Sequence, residues 1–419
     1  MKDKDRSSAT MTKTRGVLLV LFIVAIAVVV CLLVRGRSTQ PIVSVGIVQA
    51  TATENHSVVQ QPAIVQHPKA NNIDTVGICG YGQVQTDQSD ASAIFQHIGT
   101  LTEGAGTRWL SALQNSGDLR ARVAGLLLEG KVTGGDSLRP VAEETRNEVV
   151  QLAAGDRDPA VYAMAVFMCD ASSATDPGSA CRQISLERWA RMDSDNAVPW
   201  LLLAGGARVR HDSAAEANAF SHAANAHKID SYSDSVFAFA EPELPQDVTP
   251  LERSYLATEV IGVEAAIRSP QYSVASQHCT SDAMQDRNIR QQCDSLAELL
   301  VTKGTNLLDL SLGKTIGARA GWPTKRVNEL VQEQHALMQA IMQQTPSDND
   351  KLWTCDAVAH LNAYVVQRVR LGELGAAREV LERSGENIEA MAQKYTQYMD
   401  NINRDPHRQG PQNPQEIAQ

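Results

Sequence analysis

The sequence predicts an all-α protein in which a body of helical-hairpin repeats, stacked as in an α-solenoid, follows one N-terminal transmembrane helix. Three observations lead to this fold class. Residues 16–34 are continuously apolar, the later chain shows the three-and-four spacing of buried helix faces, and aspartates begin helices at intervals of 40 and 37 residues. The predicted segments are a cytoplasmic N-terminus at 1–15, the transmembrane helix at 16–35, a flexible linker at 36–75, the helical body at 76–403 and a disordered tail at 404–419.

The apolar segment carries no charge over 19 positions. At about 1.5 Å per helical residue it reaches roughly 28 Å, close to the hydrocarbon thickness of a bilayer. Five basic residues closely precede it and two closely follow it, which favours a cytoplasmic N-terminus. No small-residue cleavage site follows directly, so the pattern favours a retained anchor over a cleaved signal peptide. We therefore expect a single-pass inner (plasma) membrane protein whose body lies in the periplasm or an equivalent lumen.

Charge is distributed unevenly along the chain. The first 35 residues contain six Lys/Arg and two Asp/Glu, which leaves a net charge of −14 for the remaining residues. Phosphate backbones are bound by clustered cations, so such an acidic body argues against nucleic acid as a partner.

Six of the seven cysteines lie outside the apolar segment, and an even number in an exported compartment indicates disulfides. Cys169 is close in sequence to Cys181, and Cys279 is close to Cys293. Each of these pairs would close a short loop and contribute up to about 3 kcal/mol in the chain-entropy model. By elimination, the remaining two cysteines would join the start of the body to its far end. They are Cys79 and Cys355.

Several stretches have one apolar helix face. One follows Pro250, which is well placed in the first turn of a helix. Its stripe contains Leu251, Tyr255, Leu256, Val260, Val263 and Ile267. Another contains Val327, Leu330, Val331, Leu337, Met338, Ile341 and Met342. The predicted helix starts are Asp118, Asp158 and Asp195, whose side chains can accept hydrogen bonds from free first-turn amides.

One stretch resembles a tetratricopeptide repeat, in which large and small residues alternate so that two helices pack closely. The matching positions are Trp200, Leu203, Ala204, Ala207, Phe220 and Ala223. Glu216 departs from the motif, because a small residue is expected there. Residues 353–385 are a fainter second match, and the helices after Asp118 and Asp158 are more similar to HEAT units. The resemblance implies a helical-repeat architecture and a binding role, and it names no ligand.

Ser311 and Lys314 have the S-x-x-K spacing of penicillin-binding proteins and class A β-lactamases, and residues 347–349 supply the S-D-N element. The third element of that set, K-T-G, does not follow, and the chain predicts helices where that family has a sheet. These two residues are nevertheless the candidates for an enzymatic role. No other spacing indicates a catalytic, metal or cofactor site.

Gly313, Gly317 and Gly321 recur every four residues and would form one flat helix face. Each interior glycine costs roughly 1 kcal/mol relative to alanine, so a close helix contact should compensate. A contact inside the chain is favoured over a contact with a second subunit, which would make the protein an oligomer.

These observations favour a non-enzymatic module that binds a protein or peptide on its repeat surface without a cofactor. The alternative is a membrane-anchored hydrolase or transferase of the cell envelope that uses Ser311 and Lys314.

Overall fold

The computed structural model describes residues 74–86, 91–129, 142–169, 179–267, 272–344 and 353–404. Within them the protein is an all-α fold preceded by one β-hairpin, which confirms the predicted fold class in its main feature. The elements are β1 (Asp74–Ile78), β2 (Gly82–Thr86), α1 (Ala91–Asn115), α2 (Leu119–Leu128), α3 (Glu143–Gly155), α4 (Pro159–Met168), α5 (Leu186–Met192), α6 (Ala197–Val209), α7 (Ser213–Ala224), α8 (Val236–Ala240), α9 (Pro250–Ala266), α10 (Ser273–His278), α11 (Arg287–Lys303), α12 (Leu307–Ala320), α13 (Thr324–Gln344), α14 (Cys355–Ser384) and α15 (Ile388–Arg404). Short 3₁₀ turns occupy Ala180–Gln183, Glu241–Glu243 and Ala283–Gln285.

Four of the predicted segments fall wholly or mostly outside the described residues. They are the cytoplasmic N-terminus, the transmembrane helix at 16–35, the linker as far as residue 73 and the tail beyond residue 404. Within the described ranges, no helix has both the length and the apolar character needed to cross a bilayer.

The β-hairpin occupies the predicted boundary between linker and body, where no strand was predicted. Its antiparallel strands pair Val76 with Val84. Ile78 is buried, and the amide of the next residue, Cys79, donates a hydrogen bond of 3.0 Å to the carbonyl of Trp353. The hairpin is therefore fixed by contacts with the far end of the chain, which local sequence patterns do not report.

Helix starts follow the predicted capping chemistry at two of three sites. Asp118 and Asp158 cap α2 and α4 by accepting from the amides two residues on, at 2.7 and 2.9 Å. At the third site the cap is Asn196 rather than Asp195, because the Asn196 side chain accepts from the amide of Val198 at 3.2 Å.

The tetratricopeptide-like stretch forms the hairpin of α6 and α7. Its small residues and Phe220 are fully buried between the helices, whereas Trp200 and Leu203 are only partly buried. Trp200 stacks on His222 with ring centroids 4.2 Å apart. Glu216, the departure from the motif, accepts from Arg208 Nε at 3.0 Å and lies 3.3 Å from Nδ1 of His278. A glutamate that is paired with Arg208 therefore occupies the position where the motif has a small residue.

The glycine face on α12 is used inside the chain. A Cβ at Gly313 would lie 2.8 Å from Leu300 on α11, and one at Gly317 would overlap the ring of Trp322. Gly321 is not on this face, which corrects the predicted set. It ends the helix in the left-handed conformation, with φ of 99°, which glycine adopts at little cost.

The predicted stripes lie on buried faces. Leu251, Leu256, Val260 and Val263 are buried on α9, and Leu330 and Leu337 are buried on α13. The largest core cluster runs from α1 to α14 and contains Trp109, Tyr162, Trp189 and Phe220, while a second cluster lies among α11 to α15.

The six body cysteines form three disulfides, two between the pairs that are close in sequence and the third between the two cysteines left by elimination. Cys169 bonds to Cys181, Cys279 bonds to Cys293, and Cys79 bonds to Cys355 over a separation of 276 residues. The third disulfide holds the β-hairpin on the first turn of α14.

Candidate functional site

A cavity of about 480 Å³ opens among α9, α12, α13 and α14 and the segment before α8. Its apolar wall comes mainly from isoleucine and leucine side chains of these helices. Its polar lining comprises Ser231, Ser233, Asp234, Glu264, Tyr272, Asn306, Gln344, Tyr364, Arg368 and Glu373. Apolar walls with a few convergent polar groups are typical of ligand sites.

Glu264 and Arg368 form the central ion pair of the cavity. Glu264 is 5% exposed, and its Oε2 lies 2.9 Å from Nη2 of Arg368. Its Oε1 accepts a hydrogen bond of 3.0 Å from the amide of Phe237 on α8. Burial raises the pKa of Glu264 to about 7, although the charge of Arg368 and the Phe237 amide both act to lower it. One guanidinium therefore compensates this carboxylate incompletely.

Glu373 stands where α14 breaks. The preceding Gly372 has φ of 71°, and a Cβ there would lie 3.0 Å from the carbonyl oxygen of Thr305. Glu373 Oε2 accepts a hydrogen bond of 3.0 Å from the amide of Leu307, so it satisfies one of the amides that have no partner within α12. Burial raises the pKa of Glu373. The glycine break thus places a carboxylate of one helix on the N-terminus of another.

Asp309 lies close to the cavity wall and is 1% exposed. Its Oδ2 accepts from the amides of Thr305 at 2.9 Å and Asn306 at 3.4 Å. Burial raises its pKa to about 6, against the lowering effect of these amides and of the Tyr272 phenol. A further acidic group therefore shares the same poorly solvated region.

Asp234 is the least satisfied of the acidic groups. It makes no hydrogen bond or ion pair with any other residue that the structure describes. Its negative charge contributes to the raised pKa values of Glu264, Asp309 and Glu373. Asp234 therefore shares this region with three other carboxyl groups and with Arg368, whose pKa its charge helps to raise. Arg368 is the one cationic side chain among the described residues that line the cavity.

The segment that carries Asp234 is held in a strained conformation. Tyr232 has φ of 58°, which a bulky residue rarely adopts. Its phenol donates to Oδ2 of Asp193 at 3.0 Å and accepts from Nζ of Lys228 at 2.9 Å. On either side of Tyr232, the hydroxyls of Ser231 and Ser233 lie 2.8 Å apart. Strain of this kind concentrates at functional sites, where surrounding contacts maintain it.

The residues singled out from the sequence lie elsewhere. Ser311 and Lys314 are on α12, but Nζ of Lys314 donates to Oε1 of Gln334 at 2.6 Å. Burial lowers the pKa of Lys314. Residues 347–349 are outside the described ranges. Within those ranges no group of three or more His, Cys, Asp or Glu is arranged to hold a metal ion.

The charged residues of the cavity were not predicted from the sequence, although one signal was present. Glu264 lies four positions after Val260 and Arg368 lies four positions after Tyr364, so each occupies an apolar helix face. A charged residue on such a face needs a partner, and this pattern could have indicated that the two meet.

No protein-family model, curated protein or solved structure matches the chain significantly. A functional assignment therefore depends on the chemistry of the site.

Proposed function

We propose that the protein is a membrane-anchored binding protein whose cavity holds part of a protein or peptide partner. In this proposal residues 16–35 anchor the chain in the inner (plasma) membrane with the N-terminus in the cytoplasm. The helical body acts as a repeat-type interaction module in the periplasm. The observation that carries the proposal is the cavity, because it combines apolar walls with buried charges that folding alone does not require.

The entrance of the cavity supports binding of a larger partner. Leu308 lines the cavity and is 48% exposed as a residue, so it offers apolar surface to an entering group. Ala265, on the opposite helix, also lines the cavity and is exposed. Exposed apolar groups beside polar ones are typical of recognition surfaces.

The disulfides support the proposed compartment. Such bonds form and persist mainly in oxidising compartments, and three of them occur among the described residues. The uncharged stretch at 16–34 and the basic residues before it support the same orientation.

Photo-crosslinking in intact membranes tests the proposal. A photoreactive amino acid at Leu308 should capture a specific partner, whereas the same group at Val209, 79% exposed on α6, should not. Ala265→Trp should abolish capture from Leu308, because the indole fills the entrance from an exposed position that tolerates it. Capture that is equal from both positions, or that survives Ala265→Trp, would contradict a binding role for the cavity.

One observation supports the alternative function as an enzyme. Burial lowers the pKa of Lys314, which would help a lysine accept a proton from a nearby serine. Under this alternative a fluorescent β-lactam would label the protein, and Ser311→Ala would abolish the label. Absence of labelling in the intact protein would remove this function.

A further inference from the structure

We infer that the cavity receives a cationic group, an alkylammonium or a guanidinium, and that Asp234 is its main counter-charge. This inference rests on the proposed function and specifies the chemistry of the ligand.

The charges around the cavity are unbalanced. Asp234, Glu264 and Glu373 line it, and Arg368 is the one cation among the lining residues that the structure describes. Arg368 is paired with Glu264 at 2.9 Å, and its charge also attracts Asp234 and Glu373, so one guanidinium is shared among three carboxyl groups. An anionic ligand would therefore meet two further carboxyl groups, while a cationic ligand would compensate them. Because buried charges are stable only when paired, the lining selects for positive charge.

The carboxylate of Asp234 is free to accept hydrogen bonds from a ligand. Glu264 and Glu373 accept hydrogen bonds from the amides of Phe237 and Leu307, whereas Asp234 accepts none from the described residues. The strained turn at Tyr232 holds the segment that bears Asp234. A preorganised, unsatisfied acceptor is what a charged donor binds most strongly, since no internal bond must break first.

The rest of the lining also suits a cation on an aliphatic stem. An ammonium group has three donors, and the hydroxyls of Ser231 and Ser233 are acceptors beside Asp234. The rings of Tyr272 and Tyr364 line the same space, and aromatic rings attract cations electrostatically. Apolar side chains on three helices can contact the methylene groups of a stem. They are Ile261, Ile341 and Leu361.

Proton release is an expected consequence of binding. A cation beside Glu264, whose pKa is about 7, favours the ionised form, so binding near neutral pH should release protons. The other ionisable groups that line the cavity, or contact its lining, are Asp234, Tyr272, Asp309, Tyr364, Arg368 and Glu373. Of these, Asp309 and Glu373 also have raised pKa values and would add to the release.

Calorimetric titration of the full chain in mild detergent tests the inference. The probes are a blocked Gly-Lys-Gly peptide, a blocked Gly-Arg-Gly peptide, n-butylammonium, and the lysine peptide acetylated at Nζ. We expect at least one cationic probe to bind at least tenfold more tightly than the acetylated peptide. Preference for a peptide over n-butylammonium would identify a lysine or arginine side chain as the source, and the reverse would identify a free amine.

Two variants that each remove one negative charge complete the test. Asp234→Asn should weaken binding of the preferred probe at least tenfold. Asp247→Asn should leave binding unchanged, because Asp247 forms an exposed ion pair with Arg108. If Asp234→Asn fails to fold, Glu373→Gln takes its place, since glutamine retains an acceptor for the Leu307 amide.

Three results would overturn the inference. They are equal binding of the acetylated and free lysine peptides, wild-type affinity in the Asp234 variant, or no binding of any cationic probe at millimolar concentration. None of these results contradicts the proposed function if Ala265→Trp still abolishes crosslinking from Leu308. Conversely, crosslinking that ignores Ala265→Trp would contradict the proposed function itself.

Discussion

The hairpin of α6 and α7 and the cavity differ in the types of residue that form them and in how far apart these residues lie in the sequence. In the hairpin, the packing residues come from one stretch, 197–224, and those at its centre are alanines and Phe220 with no more than 1% exposure. The cavity collects charged residues from 234 to 373, on elements that are far apart in the sequence. The charged residues of the hairpin helices are paired and their core is closely packed, whereas the cavity retains a carboxylate without a hydrogen bond to any described residue and raised pKa values.

This difference indicates that the two regions contribute differently to the stability and the function of the protein. Close packing of small and aromatic side chains stabilises the fold directly. Buried charges stabilise it little or not at all, because the desolvation penalty offsets their attraction. The hairpin therefore explains why the protein folds, and the cavity is where a functional explanation is needed. Four predictions test the contrast, beginning with the largest effect.

Phe220→Ala should destabilise the protein most. The ring is fully buried and stacks on His278 with centroids 3.8 Å apart, so truncation leaves a cavity in the hairpin. We expect a loss of about 3–5 kcal/mol in the free energy of unfolding, measured by urea denaturation. Val209→Ala, at an exposed position of the same hairpin, should change it by less than about 0.5 kcal/mol. A loss below about 1 kcal/mol for Phe220→Ala would show that the hairpin is not tightly packed.

Arg368→Met should destabilise the protein by about 3 kcal/mol, because it leaves Glu264 buried beside other carboxyl groups without a cation. The double variant Arg368→Met with Glu264→Met should recover most of this loss, since the pair is replaced by apolar side chains of similar length. Urea denaturation of the three proteins gives the comparison. If the double variant is as unstable as the single one, the ion pair itself stabilises the fold and the contrast with the hairpin is lost.

The same contrast decides what the sequence could predict. Helix α9 was predictable because its signals are local: Thr249 and Glu252 form a capping box around Pro250, and the apolar stripe follows. The hairpin of α6 and α7 was predictable for the same reason. In both cases, neighbours in the sequence are also neighbours in space.

The cavity could not be predicted in this way. Glu264 and Arg368 are on α9 and α14, and their meeting depends on how these helices cross, which helical periodicity does not encode. The break at Gly372 is similar. A glycine within a helical pattern does not report that its backbone lies against Thr305. The strand Gly82–Thr86, rich in glutamine, was missed because the hairpin packs on a cluster that includes distant residues such as Leu251, Trp353 and Val358.

Two glutamates should give opposite responses to pH. The pKa of Glu264 is raised to about 7, so its protonated form stabilises the fold below the ordinary value of 4.5, and this contribution is lost as pH rises through 7. The pKa of Glu216 in the hairpin is lowered by its bond to Arg208, so its contribution is present above 4.5 and is lost as pH falls below that value.

Thermal unfolding of two glutamine variants across pH measures these responses. Relative to wild type, Glu264→Gln should gain about 2 kcal/mol between pH 5 and pH 8. Glu216→Gln should be less stable than wild type at pH 7, and the difference should close as the solution is acidified below pH 4.5. Asp309 and Glu373 should leave a residual fall with rising pH in the Glu264 variant. Responses of the same sign in both variants would contradict the proposed difference between the regions.

The smallest predicted effect compares two residues with the same backbone conformation. His211, between α6 and α7, and Tyr232, between the lining residues Ser231 and Ser233, both have φ of 58°. His211 is exposed, so His211→Gly should relieve strain and raise the free energy of unfolding by about 0.5–1 kcal/mol. Tyr232→Gly relieves the same strain but removes the bonds to Lys228 and Asp193, and it should lower stability by about 1 kcal/mol.

Crosslinking from Leu308 tests whether the backbone strain at His211 and at Tyr232 contributes to binding. His211→Gly should leave the yield unchanged, because the hairpin turn has no part in the cavity. Tyr232→Gly should reduce it, because the turn at Tyr232 no longer holds Ser231, Ser233 and Asp234 in place. If Tyr232→Gly stabilises the protein and leaves the yield intact, its strain is incidental and the wall segment is not preorganised. If only the yield falls, the strain at Tyr232 is maintained for binding, and the two regions differ in purpose as well as in composition.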